Sequence, residues 1–92
     1  MRIIVKYMAQ LKQAIGLPSE DFEAELPCTP AALVQQLAQR HGDAVRRLLM
    51  DSQGRLHEAI LFFVGDDQVR RDDSYPFRDN DVLTILVPMA GG

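Results

Sequence analysis

Asp81-Val82-Leu83-Thr84-Ile85-Leu86-Val87-Pro88-Met89-Ala90-Gly91-Gly92 closes the sequence, and its reading decides the fold. The first seven residues alternate well enough to predict a strand. Pro88 ends it, because proline has no N–H to give to a ladder. Met89, Ala90, Gly91 and Gly92 then lead away from the domain. A glycine pair in that place neither closes a turn nor caps a helix. It presents a carboxylate on a thread without side chains, which can lie extended in a channel too narrow for any Cβ. The chemistry that needs such a thread is enzymatic activation of a protein's own terminal carboxylate.

Working outward, Arg2-Ile3-Ile4-Val5-Lys6-Tyr7-Met8 reads as a strand, with Ile3, Val5 and Tyr7 on one face. A loop with Gly16, Pro18 and Ser19 follows, in which Leu11, Ala14 and Ile15 have helical spacing and admit a short turn of helix. Phe22-Glu23-Ala24-Glu25-Leu26 alternates and predicts a second strand, antiparallel to the first. Thr29-Pro30 starts the main helix, since threonine suits the N-cap and proline the first helical position. Leu33, Val34, Leu37, Ala38 and His41 form its stripe, and Gly42 stops it. A short helix from Asp43 turns Val45, Leu48 and Leu49 inward. Ala59-Ile60-Leu61-Phe62-Phe63-Val64 predicts a strand with both faces occupied, and Gln68-Val69-Arg70 a stub of strand after a turn at Gly65-Asp66-Asp67. The fold class is therefore α+β: one mixed sheet of four to five strands with one main helix across one face. The other face of the sheet is left without cover of its own.

Composition narrows the function. Ninety-two residues make one domain, too small for a deep enclosed active site. A hydrophobic fraction of 47% with 25% charged residues is ordinary for a globular domain. The net charge is −3 and the basic residues are scattered, which argues against a nucleic-acid surface. A single cysteine, Cys28, supports neither a disulfide framework nor a metal site, so a reducing cytoplasm is the expected location. No apolar run is long enough to span a bilayer, and the opening residues are too short and too charged for a signal peptide. No phosphate-binding glycine loop, metal-ligand spacing or nucleophile–base arrangement is present in the sequence. The expectation is a protein that is not itself an enzyme.

With the element order and the tail together, the chain resembles the MoaD/ThiS family of ubiquitin-like (β-grasp) sulfur carriers. Met1-Arg2-Ile3-Ile4-Val5-Lys6 resembles the opening strand of that fold, residues 33–42 its helix, and residues 79–92 its closing signature. Two departures, Gly65 where asparagine is common and Asn80 where glycine is more usual, both keep residues that tolerate turns. The middle segment, from Leu48-Leu49-Met50-Asp51 to Gln68-Val69-Arg70, is similar to the CysO-type branch, which serves cysteine biosynthesis.

The resemblance implies one domain over residues 1–92, with a flexible tail at 88–92. It implies that a separate adenylating enzyme of the ubiquitin-activating type uses ATP to adenylate Gly92, which a sulfur donor then converts to a thiocarboxylate. Gly91, Ala90 and Met89 would thread that enzyme's channel. No cofactor is expected on the carrier itself. The sulfur acceptor would be a pyridoxal-phosphate cysteine synthase. The alternatives are the small subunit of molybdopterin synthase, paired with a large subunit, and thiamin or other sulfur metabolism. A protein modifier conjugated through Gly92 and a plain interaction module are readings from other classes. Sequence alone leaves open whether a protease exposes the tail, although the sequence as it stands ends at Gly92.

Strand parity then selects a contact surface. The resemblance assigns Leu83 and Ile85 to the helix side, which leaves Leu61, Phe63, Thr84 and Leu86, with Ile4, on the open face. An apolar patch there marks a partner-binding surface. The remaining polar groups carry bland expectations. His41 is a helix-end residue favoured by the dipole, and His57 has no ligand-spaced neighbour. Cys28 is structural. Arg70-Arg71 beside Asp72-Asp73 forms a solvated turn, and Glu20-Asp21 and Asp66-Asp67 lie in turns as solvating carboxylates.

Overall fold

A computed structural model of the protein describes residues 1–25 and 28–88. The first strand, β1 (Arg2–Tyr7), buries Ile3, Val5 and Tyr7 and exposes Arg2 and Lys6. The chain then forms a helix of two turns, α1 (Ala9–Ile15), pinned by the fully buried Leu11. Gly16 ends it with φ +86°, where a side chain would be strained, and its N–H donates to the Lys12 carbonyl at 2.8 Å. β2 (Ser19–Glu23) returns antiparallel to β1, with Ile3 opposite Phe22.

The main helix, α2 (Pro30–His41), starts as its sequence dictates. Thr29 Oγ1 accepts from the Ala32 N–H at 3.1 Å, and Pro30 fills the first turn. Leu33, Val34, Leu37 and Ala38 are buried along one stripe, and Gly42 closes the helix. α3 (Asp43–Leu49) follows directly and buries Val45 and Leu49. A hairpin of β3 (Leu61–Val64) and β4 (Asp67–Val69) turns through Gly65 at φ +60°, and β5 (Val82–Leu86) ends the described sheet.

The five strands lie in the order β2-β1-β5-β3-β4. β5 is the central strand, parallel to β1 and antiparallel to β3. The chain brings its last strand beside its first by fixing the preceding turn. Arg2 Nε donates to Asn80 Oδ1 at 2.8 Å, the Arg2 N–H donates to Asp79 Oδ1 at 2.8 Å, and the Asn80 N–H donates to the Arg2 carbonyl at 2.7 Å. Asn80 sits at φ +70°, a conformation asparagine adopts more readily than other side chains. The core gathers the inward faces of β1, β3 and β5 with α2, α3, Phe22 and Phe77.

Several expectations need correction. The second strand runs over Ser19–Glu23 and not over 22–26; Leu26 lies outside the described residues. Glu20 occupies an inward position of that strand, so apolar alternation misses its first half. Glu20 and Asp21 are therefore strand residues and not turn residues, and Asp67 opens β4. The central apolar strand is shorter than its sequence, Leu61–Val64, with Ile60 buried just ahead of it.

Arg71 is not a solvated turn residue. Its guanidinium donates to the carbonyls of Leu56 (3.4 Å), His57 (3.0 Å), Glu58 (2.8 Å) and Ile60 (3.1 Å), and so tacks the loop between α3 and β3 to the sheet. Hydrogen bonds from a charged donor contribute about 1.5–3 kcal/mol each when buried. These are half exposed, so Arg71→Ala should cost about 2 kcal/mol in total, a fall in thermal midpoint of roughly 8–16 °C. Arg71→Lys should rescue little, because an ammonium cannot replace the planar fork. Arg70→Ala is the control. Its contact with Asp73, at 4.0 Å between exposed side chains, should leave the midpoint nearly unmoved. Equal midpoints for the Arg70 and Arg71 variants would refute the assignment.

Candidate functional site: an open sheet face and the root of the tail

Strand pairing sets the geometry of the open face. Leu61 stands opposite Leu86 and Phe63 opposite Thr84, so the four residues form one contiguous block. Across β5, Ile4 stands opposite Val82 and Lys6 opposite Thr84, which carries the same face onto β1. Leu61, Phe63, Thr84, Leu86 and Ile4 are half-buried, while their neighbours Ile60, Phe62, Leu83 and Ile85 are buried at 2% exposure or less. The partly buried apolar side chains that pack on the core are Ile15, Leu48, Leu56, Val69 and Tyr75, none of them from this block. Val82, 37% exposed, extends the patch and was not singled out by sequence reasoning, although its parity with Thr84 was the available signal.

The tail leaves from the same place. Val87 is buried and Pro88 is exposed directly after β5, whose end at Leu86 is one corner of the block. The most constrained strand of the sheet, bonded on both sides, therefore carries both the patch and the tail root. Met89, Ala90, Gly91 and Gly92 lie outside the described residues.

A polar cluster lies at the other edge, where no sequence signal placed one. Glu20 Oε1 accepts from the Tyr7 hydroxyl at 2.8 Å and is hydrogen-bonded to His41 Nε2. Arg40 lies 3.5 Å from Glu20 Oε2, donates to the Asp21 carbonyl at 3.2 Å, and stacks 3.9 Å above the Phe22 ring. The cluster fastens the end of α2 to β1 and β2. Burial alone would raise the Glu20 carboxyl, but the hydrogen bonds from Tyr7 and His41 and the charges of His41 and Arg40 outweigh it, and it sits below the usual carboxylate range. Burial, with the hydrogen bond to Glu20, pushes the Tyr7 phenol far up, so it remains a donor.

The sign of the pH dependence follows. A carboxyl depressed in the folded state stabilises fully above its unfolded value, about 4.3 for Glu, and loses that contribution as pH falls through the folded value. The stability gap between wild type and Glu20→Gln should be constant above about pH 5 and shrink on acidification. Thermal midpoints measured across that range check it; a gap that widens in acid would contradict it.

Cys28 is buried beside the start of α2, and burial pushes its thiol up, away from reactivity. Among the described residues, no group of three metal-ligating side chains is brought together, and no helix is long and apolar enough to cross a membrane.

The ThiS family matches residues 5–92. The chain belongs to the ThiS family. Its members are small ubiquitin-like carrier proteins and not enzymes. No curated protein sequence matches the chain. Among solved structures, SAMP1 from Haloferax volcanii is similar over 100% of both chains, with a TM-score of 0.83 at 17% identity, a likeness of fold. CysO from Mycobacterium tuberculosis is 27% identical, with a TM-score of 0.59, over 92% of this chain and 97% of that one. The CysO structure from Amycolatopsis orientalis, solved as a complex with BexX, is 27% identical with a TM-score of 0.62, over 98% and 99% of the two chains. The β-grasp fold and the family are thereby established.

Proposed function

We propose that this protein is a sulfur carrier whose Gly92 carboxylate is adenylated by a partner enzyme and converted to a thiocarboxylate, and that it serves cysteine biosynthesis. The observation that carries the reading is the central strand of a ThiS-family fold, which bears an apolar block on its open face and releases the diglycine tail from one corner of it. The cysteine branch is supported by the 27% identity to two proteins named CysO, which exceeds the identities to the archaeal structure.

A carboxylate is a poor electrophile, because its charge repels nucleophiles and its oxygen leaves badly. In the proposed reaction, a Gly92 oxygen attacks the α-phosphorus of ATP and pyrophosphate leaves. A hydrosulfide equivalent from a sulfur donor then attacks the carbonyl carbon of the acyl-adenylate, and AMP leaves. The thiocarboxylate is a protein-bound nucleophile, so its sulfur reaches an acceptor enzyme without release of free sulfide. ATP binding and stabilisation of the developing charge belong to the adenylating enzyme. The carrier contributes a docking face and a thread.

The test is isotope exchange between pyrophosphate and ATP, catalysed by the adenylating enzyme of the same cells. Exchange should require this protein. Absence of exchange at saturating protein would remove the carrier reading, and a ladder of conjugates on blots of cell extract would favour a protein modifier in its place.

A further inference from the structure

On the helix side of the sheet, beside the root of the tail, lies a pocket of about 240 Å³. Its apolar lining comes from Leu48 of α3, Ile60 ahead of β3 and Val87 past β5; its charged lining comes from Arg47 and His57. Pro88 borders it. Resting on the carrier reading above, we propose that this pocket is a second docking point for the adenylating enzyme, and that it receives an apolar side chain of that enzyme standing beside a carboxylate.

Three observations support the assignment. The first is position. The four residues after Pro88 span at most about 14 Å when extended, so an enzyme that holds the end of the tail must press against the pocket's surroundings. Leu61 and Leu86 lie on the open face, and Ile60 and Val87, their chain neighbours, line the pocket on the opposite face. An enzyme engaging both would grip the end of the central strand from two sides and fix the direction in which the thread leaves.

The second is charge. Arg46, Arg47, Arg55 and His57 form no ion pair among the described residues, where the pairs involve Met1, Arg2, Arg40, His41 and Arg70. The chain carries −3 overall, and its carboxylates concentrate elsewhere, at Glu20, Asp21 and Glu23 of β2 and around the β3–β4 turn and residues 72–73. A local excess of positive charge against the chain's own sign selects an acidic counterpart.

The third is rigidity. The His57 N–H donates to the Leu49 carbonyl at 3.0 Å, and the His57 carbonyl accepts from the Ile60 N–H at 3.2 Å and from Arg71 at 3.0 Å. Asp51 Oδ1 holds the preceding turn by accepting from the Gln53 and Arg55 N–H groups, at 2.8 and 3.0 Å. A preformed pocket spares the ordering cost of binding.

The experiment is pyrophosphate exchange by the cognate adenylating enzyme, with the full-length protein as the varied substrate. Arg47→Glu and His57→Glu should each raise the half-saturating protein concentration by about tenfold or more while leaving the maximal rate near wild type, the pattern of lost docking. Arg47→Lys should retain most of the affinity. Arg78→Glu, at the far end of β5, should change little. The wild-type half-saturation should rise with salt, as charge-guided docking requires. If the wild type supports exchange and both pocket variants saturate within about twofold of it, the pocket proposal is overturned and the carrier function stands. If the wild type supports no exchange, the function itself fails. A concentration-dependent dimer that Arg47→Glu abolishes would reassign the pocket to a second copy of this chain and overturn the proposal.

Discussion

Phe63→Asp is expected to leave the protein folded and to abolish its binding to the adenylating enzyme, whereas Phe62→Ala, one residue earlier, is expected to come close to unfolding it. The two rings are chain neighbours on opposite faces of β3. Phe62 is 1% exposed and stands opposite Ile85, inside the core under α2 and α3. Its truncation removes apolar contacts and leaves a cavity, at a cost of about 3–5 kcal/mol. A domain of this size holds only about 5–14 kcal/mol in all. Phe63 is half-buried, faces Thr84 and Gln68, and belongs to the apolar block of the open face. Aspartate there loses partial burial and a good strand former, about 1–2 kcal/mol. At a contact centre, the same change puts a charge where the partner needs apolar surface, and binding should fall by at least roughly 30-fold. Urea unfolding and calorimetric titration of the enzyme separate the two effects. Cooperative unfolding of Phe63→Asp at a midpoint near that of Phe62→Ala would mean that Phe63 is core. Unchanged affinity would mean that the open face is not the contact surface.

Deletion of Gly92 should remove adenylation almost entirely without changing stability. The deletion withdraws the carboxylate by one residue, about 3.3–3.6 Å of extended chain. A reacting atom displaced by even 1 Å can lose about 10²-fold in rate, so the expected loss is at least that large. The thermal midpoint should not move, because the buried residues among those described all precede Pro88. Exchange of pyrophosphate into ATP at wild-type rate with the deleted protein would show that Gly92 is not the activated residue.

What the sequence reveals about this fold divides along physical lines. α2 was legible from Thr29-Pro30 to Gly42 because a cap, a proline and an apolar stripe agree over one segment. β5 was legible because its alternation ends at a proline, and the parity of β3 and β5 was enough to group Leu61, Phe63, Thr84 and Leu86 on one face. The polar structure was not legible. Glu20 reads as a solvated turn carboxylate until β2 pairs with β1 and α2 ends beside it, and only then do Tyr7 and His41 become its partners. Arg71 sits in a run of charges, and its four acceptors are backbone carbonyls, which leave no mark in sequence. The pocket beside Pro88 draws on α3, a loop and two strand ends, so no local pattern could announce it. Periodicity reports burial along one element; contacts assembled from several elements require the fold.

The most direct test of the carrier chemistry is the intact mass of the protein purified from its own cells. A fraction heavier by the exchange of one oxygen for one sulfur, with the change confined by fragmentation to Gly92, is the predicted result. A mass that stays unmodified in cells, and also after incubation with ATP, a sulfide donor and the cognate adenylating enzyme, would contradict it.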